Sequence, residues 1–201
     1  MPSPIAHGFA GFAVAHFSRT LRAIPERQRL EWIFWIVALV FAANAADLDF
    51  LAGFLVGDPN RFHHGPTHAL IAPVVFALLT AALARFAGFK QWHRFGMLMG
   101  LSYATHLMLD FVTVGTKEPY GMKLLWPFSH ASVMPPFHIF MDIRRDPGTT
   151  TFLPSLVQWH NAKAIALELA IALGVWALYW AISSLQFSLN APGRKTPPRS
   201  A

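Results

Sequence analysis

The chain is 201 residues long, 54% hydrophobic and only 13% charged, with a formal charge of +6 and no cysteine. That composition argues for a membrane protein rather than one or two soluble domains, and the missing cysteines exclude disulfides, thiol nucleophiles and thiolate metal sites. Nucleic acid binding is not expected from the positive charge, because the basic residues flank apolar segments, as cytoplasmic loops and headgroup contacts require.

In chain order, the first apolar stretch covers residues 4–18, with His7 at its start. It is short and weak, and can span a bilayer, re-enter it or lie in its interface. The first basic residue, Arg19, follows this stretch, whereas a cleaved signal peptide carries its charges before the apolar run. Residues 30–46, 66–89, 95–114 and 162–185 each approach the ~20 apolar residues that a membrane helix needs. Asp47-Leu48-Asp49 follows the second segment, and Gly57-Asp58-Pro59-Asn60 reads as a turn. Gly65-Pro66 opens the third segment, with proline where its missing N–H costs nothing. His63 stands just before that start and His68 in the expected first turn, whose dipole would favour an anion. Gly88 closes this segment and Gly115 the next, which carries His106 and Asp110 in its later half. Residues 116–161 form a long aromatic loop, too apolar for a free linker and expected to fold over the outer face as a lid. Glu168 is the lone acid of the last segment, and the tail 191–201 has the composition of a disordered basic segment. The expectation is an all-α integral-membrane bundle of four to five transmembrane helices, forming one domain over residues 1–190.

Basic residues orient this bundle. Arg19, Arg22, Arg27 and Arg29 lie between the first and second segments, Arg85, Lys90 and Arg94 between the third and fourth, and Arg194, Lys195 and Arg199 after the last. The intervening loops are poorer in them or long enough to translocate regardless of charge, so the amino terminus is placed outside. His7, Asp47, Asp49, His63, His68, His106 and Asp110 then fall at one face and at similar depth. Ionisable groups at membrane depth are functional by default. His16 and His93 fall toward the opposite face.

His106 and Asp110 are four apart on a helix, so both project from one face. They can bind one ion together, or the carboxylate can orient the imidazole. In Asp47-Leu48-Asp49 one carboxylate can ligate while the other bridges or acts as a general base. Carboxylate and imidazole without thiolate suit Zn²⁺ first, then Mn²⁺ or Fe²⁺, and the number of ligands suits one or two ions. His138 and Asp142 have the same spacing and are candidates for a second ion if that part of the loop is helical; Glu168 is a further candidate. His64 is read as a position open to solvent.

At these residues the chain resembles the small membrane-bound metal-dependent hydrolases, the YdjM-like, LexA-regulated proteins of the bacterial inner membrane. The resemblance rests on His7-Gly8, Asp47-Leu48-Asp49, His63-x-Gly65-x-Thr67-His68, His106-x-x-x-Asp110 and Gly121-x-x-Leu124-Leu125-Trp126-Pro127-Phe128-Ser129. These elements cover most of the first 130 residues in order, and imply a hydrolase without naming a substrate. A looser similarity links the order His7, Asp47, His68, His106 and Asp110 to zinc-dependent phospholipase C and related nucleases, and implies phosphodiester chemistry.

The leading expectation is therefore an integral-membrane metal-dependent hydrolase at the outer leaflet. Metal-activated water would attack an ester or phosphoester of a lipid-like or envelope substrate, with Asp47 and Asp49 as catalytic candidates. A transporter or metal-handling protein is the alternative; it predicts polar groups through the inner half of the bundle and usually a repeat, neither of which the sequence contains. A bis-histidine haem protein would not need three carboxylates, and a scaffold would leave the clustered ligands unexplained.

Overall fold

A computed structural model describes residues 1–20, 29–114 and 120–190. The expectations for Arg22, Arg27, Gly115 and the tail 191–201 lie outside the described residues. Seven helices follow in chain order: α1 (Pro4–Thr20), α2 (Arg29–Asn44), α3 (Asp49–Leu55), α4 (Ala72–Phe86), α5 (Trp92–Phe111), α6 (Phe152–Ser155) and α7 (Trp159–Asn190). The described residues contain no strand, only two isolated bridges, Thr113 with Phe140 and Met122 with Val133. The fold is all-helical.

α2 runs through a 3₁₀ turn (Ala45–Leu48) into α3. The combined stretch Leu30–Leu55 and the helix Trp159–Gln186 are long and apolar enough to cross a bilayer. Among the described residues these two helices meet that test. α4 is apolar but has only 15 residues. α5 has 20 but spends several of them on Ser102, Thr105, His106 and Asp110, and polar side chains aimed at a site lower a helix's apolar content. α1 is a continuous helix of 17 residues.

α1 packs on α2 and α5, and α4 on α5. The approach is close because glycine sits at the contacts: a Cβ on Gly11 would meet the Leu39 carbonyl at 2.6 Å, and one on Gly96 the Ala77 carbonyl at 2.5 Å. One core cluster joins Ala15, Trp35, Leu39, Ala42, Leu98 and Met99; a second, nearer the site, joins Ala45, Ala46, Tyr103, Leu107 and Met122. Large apolar side chains on α2, α4 and α7 face outward, among them Phe41, Leu78, Leu83, Leu173, Val175 and Trp180. Only 6% of the most apolar α7 window is buried within the chain, a pattern that suits lipid and not water.

The third expected segment divides. Pro66–His68 forms a separate 3₁₀ turn, Ala69 is extended, and α4 begins at Ala72 with Pro73 in its first turn. Proline disfavours helix in the residue before it and lacks the N–H of a helix interior, so Pro73, not Pro66, sets the start. His68 therefore has no α-helix dipole behind it. Gly57 (φ +79°) and Gly88 (φ +75°) turn the chain after α3 and α4, at the expected positions.

The long loop after α5 folds back on the bundle end, as a lid would. Leu70 N–H donates to Leu124 O and Ile143 N–H to Met1 O. Asn161 clips its far end: its Oδ1 accepts from Arg144 N–H at 2.8 Å and its Nδ2 donates to Arg144 O and Leu156 O.

Candidate metal centre

Successive helices run up and down, so the start of α1, the end of α2 and the end of α5 meet at one end of the bundle. These positions bear His7, Asp47 and the His106–Asp110 pair, and the link before α4 adds His63, His64 and His68. His7, His68 and His106 are fully buried, and Asp110 is 4% exposed.

Asp110 stands at the centre. Its Oδ1 is 3.3 Å from His7 Nε2, and its Oδ2 is 3.3 Å from His68 Nε2, 3.5 Å from His106 Nε2 and 3.6 Å from His64 Nε2. Asp47 Oδ1 lies 3.5 Å from His106 Nε2, 3.7 Å from His63 Nδ1 and 3.8 Å from His68 Nε2. A tetrahedral ion with ~2.1 Å bonds separates its ligand atoms by about 3.4 Å. Four overlapping groups bring one ligand atom from each residue to within 4.8 Å of the others: His7, His106 and Asp110; His63, His64, His68 and Asp110; Asp47, His68 and His106; and Asp47, Asp49 and His63. Asp110, Asp47, His63, His68 and His106 each belong to two groups, so the four groups form one connected cluster.

Hydrogen bonding fixes which nitrogens face inward. His106 Nδ1 is 2.8 Å from the Ala43 carbonyl, an acceptor, so the proton sits on Nδ1 and Nε2 presents a lone pair. His68 Nδ1 faces Asp49 Oδ2 at 3.3 Å and the Thr67 hydroxyl at 2.9 Å, which again turns Nε2 inward. The two Nε2 atoms are only 3.3 Å apart, with Asp110 beside both. Lone pairs so gathered repel one another unless a cation or proton lies between them. Both oxygens of Asp47 and Asp110, both nitrogens of His7, His63 Nε2 and His64 Nε2 are buried without a hydrogen-bond partner. Buried polar atoms normally find one. These residues fit a divalent ion held by nitrogen and oxygen.

Asp47 and Asp49 have separate roles. The Asp49 carboxylate accepts from the Thr67 hydroxyl at 2.8 Å and faces His68 Nδ1 and His63 Nδ1. Tyr103 OH in turn donates to Thr67 O at 2.7 Å. Asp49, which also belongs to the fourth ligand group, faces these imidazoles as an orienting carboxylate would, while both Asp47 oxygens are buried without a hydrogen-bond partner. Thr67 was visible in the motif as a hydroxyl adjoining His68. Burial, reinforced by the neighbouring His64, His68 and Arg145 charges, holds the His63 pKa well below 6.5, and burial also lowers that of His64.

Three sequence expectations change. His64 belongs to the cluster, in a left-handed backbone conformation (φ +60°) that β-carbon-bearing residues seldom adopt. His138 is exposed and residues 138–142 are not helical; Asp142 instead faces His160 Nε2 at 3.1 Å. The Asp142 carboxylate therefore fastens the loop to α7. Glu168 is in none of the ligand groups: its carboxylate accepts from Ser3 N–H at 2.8 Å and from the Ser3 hydroxyl, and so ties α7 to the start of α1. Arg145, to which the sequence gives no role, lies over the Phe50 ring that stacks on His63.

No solved structure matches the chain. Inner membrane protein YbcI of Escherichia coli (strain K12) is 30% identical over 145 residues, which are 69% of this chain and 75% of that protein. The family described as YdjM inner membrane protein matches residues 1–187. The chain belongs to that family, and shares its association with the inner membrane.

Proposed function

We propose that this protein is an integral-membrane, metal-dependent hydrolase that cleaves an ester or phosphoester at the outer leaflet. One observation carries the reading: buried imidazole and carboxylate atoms from α1, α2, α5 and the link before α4 converge at ligand spacing without other partners. In the proposed topology α1, α2, α4, α5 and α7 cross or enter the bilayer, and the alternation of basic loops puts the ligand end on the periplasmic side.

His7, Asp47, His63, His64, His68, His106 and Asp110 would hold one or two ions, with zinc suited best to the ligand set and manganese or iron also compatible. Such an ion supplies Lewis acidity: it lowers the pKa of water and draws charge from a carbonyl or phosphoryl oxygen. The chain's part is positional. Asp49 and Thr67 orient His68, Ala43 O orients His106, and Asp47 is the carboxylate placed to take a proton from attacking water. His64, with its side chain 30% exposed, is the candidate ligand that reaches the substrate side.

Metal analysis of detergent-purified protein tests this. Zinc, manganese or iron should be bound by the wild type and lost on Asp47→Ala and on His106→Ala. Equal metal in all three would end the proposal. Esterase and phosphodiesterase assays on lipid substrates then test the chemistry.

A further inference from the structure

Beyond the ligand cluster lies an open cavity of about 840 Å³, a size that takes a whole small molecule or headgroup. His63 and His64 form its inner wall, and four cationic side chains, Arg61, Lys123, Arg144 and Arg145, line it against two carboxylates, Asp142 and Asp146. His64 also lines the small space beside Asp110, so the same side chain borders both the cavity and the centre.

Arg145 is the cation built into this wall. Its Nε donates to Asn60 Oδ1 at 2.8 Å and its Nη1 to Ile143 O at 3.5 Å. Its guanidinium lies 4.8 Å from the centre of the Phe50 ring. That ring stacks on His63 at 4.4 Å, and Phe152 packs against it. The guanidinium is thus held at one layer's remove from a candidate ligand. A planar, fixed guanidinium recognises two oxygens of a phosphate at once. A carboxylic ester is uncharged and has no use for four cations at its entrance. A phosphate ester does, because it must approach a centre that holds three carboxylates.

We propose that this cavity binds a phosphate ester, and that Arg145 is the positioning residue that grips the phosphate beside the metal centre. That the ester is then cut rests on the hydrolase reading; its binding does not. In the cleavage, water oxygen bonds to phosphorus, the P–O bond to the alcohol breaks, and a water proton passes to the departing alcohol oxygen.

The test is calorimetric titration of inorganic phosphate into the full chain in detergent, before and after chelator treatment. Arg145→Ala should weaken phosphate binding at least ~10-fold in both forms, since it removes a charge-assisted pair. Arg145→Lys, which keeps the charge and guards against a folding defect, should recover part of the loss. Arg144→Ala, at an exposed side chain, should cost roughly 2–3-fold, as rim charges do. Wild-type affinity in both Arg145 variants, or no phosphate binding by the wild type, overturns the proposal. A wild type that carries no metal as purified, before any chelator, and still depends on Arg145 for phosphate would sink the hydrolase reading alone. Competition separates the sources: displacement by nanodiscs of phosphatidic acid in phosphatidylcholine means a lipid headgroup, and displacement by glycerol 3-phosphate means a soluble ester.

Discussion

His106 with Asp110 and His138 with Asp142 have the same i, i+4 spacing, and they end in different places. The first pair lies on α5, where helical periodicity sets both side chains on one face and the packing of α1 and α2 closes over them. The second lies in extended chain after α5, where four residues carry His138 out to solvent and leave Asp142 to face His160. Spacing proposes a site only through the secondary structure beneath it. The burial that strips His106 and Asp110 of water leaves His106 Nε2 and both Asp110 oxygens facing other candidate ligands, and that turns a common pair into a candidate metal centre.

The contrast can be broken or sharpened by substitution. The largest effect is expected for Asp110→Ala, which removes the shared carboxylate; metal affinity, read by competition with a chelating dye, should fall by more than ~100-fold, beyond the loss typical of outer-sphere changes. Unchanged affinity would erase the difference between the two pairs. Asp49→Asn should cost ~10–100-fold because it spoils the orientation of His68 rather than a ligand, and Thr67→Val less than that.

Acid should act on the buried side of the comparison. Burial keeps His63 and His64 below 6.5, so the unfolded chain takes up protons first as pH falls. The stability associated with their neutral forms is fully present above pH 6.5 and declines below it. Melting of chelator-treated protein should therefore drop between pH 7.5 and 5.5 by roughly 2–4 °C for each kcal/mol lost, and a His63→Gln, His64→Gln variant should show a smaller drop. The smallest effect is expected for His138→Ala, with metal affinity within about twofold of wild type, as for an exposed residue without a buried partner. A large loss there would mean that the loop closes onto the centre in solution.

Much of this was legible without a structure. His7, Asp47, His68, His106 and Asp110 stood out because ionisable groups in apolar segments are costly, and antiparallel connection alone brings the ends of α1, α2 and α5 together. The start of α4 was misplaced because Pro66 and Pro73 both satisfy the rule for a first turn, and only the packing of the His68 turn beneath Tyr103 and Asp49 selects between them. His64 was missed because its left-handed backbone, which turns the ring toward Asp110, has no signature in residue type.

Composition and period were enough to mark an all-helical membrane protein and to single out His7, Asp47, His68, His106 and Asp110 as candidate donors. Only tertiary structure separated Asp47 from Asp49, moved Glu168 and Asp142 out of the ligand set, and brought Arg145 to within one aromatic ring of His63. Those assignments depend on contacts between residues up to 165 positions apart, where side-chain direction and the available hydrogen-bond partner, not residue identity, decide what a carboxylate or a guanidinium does.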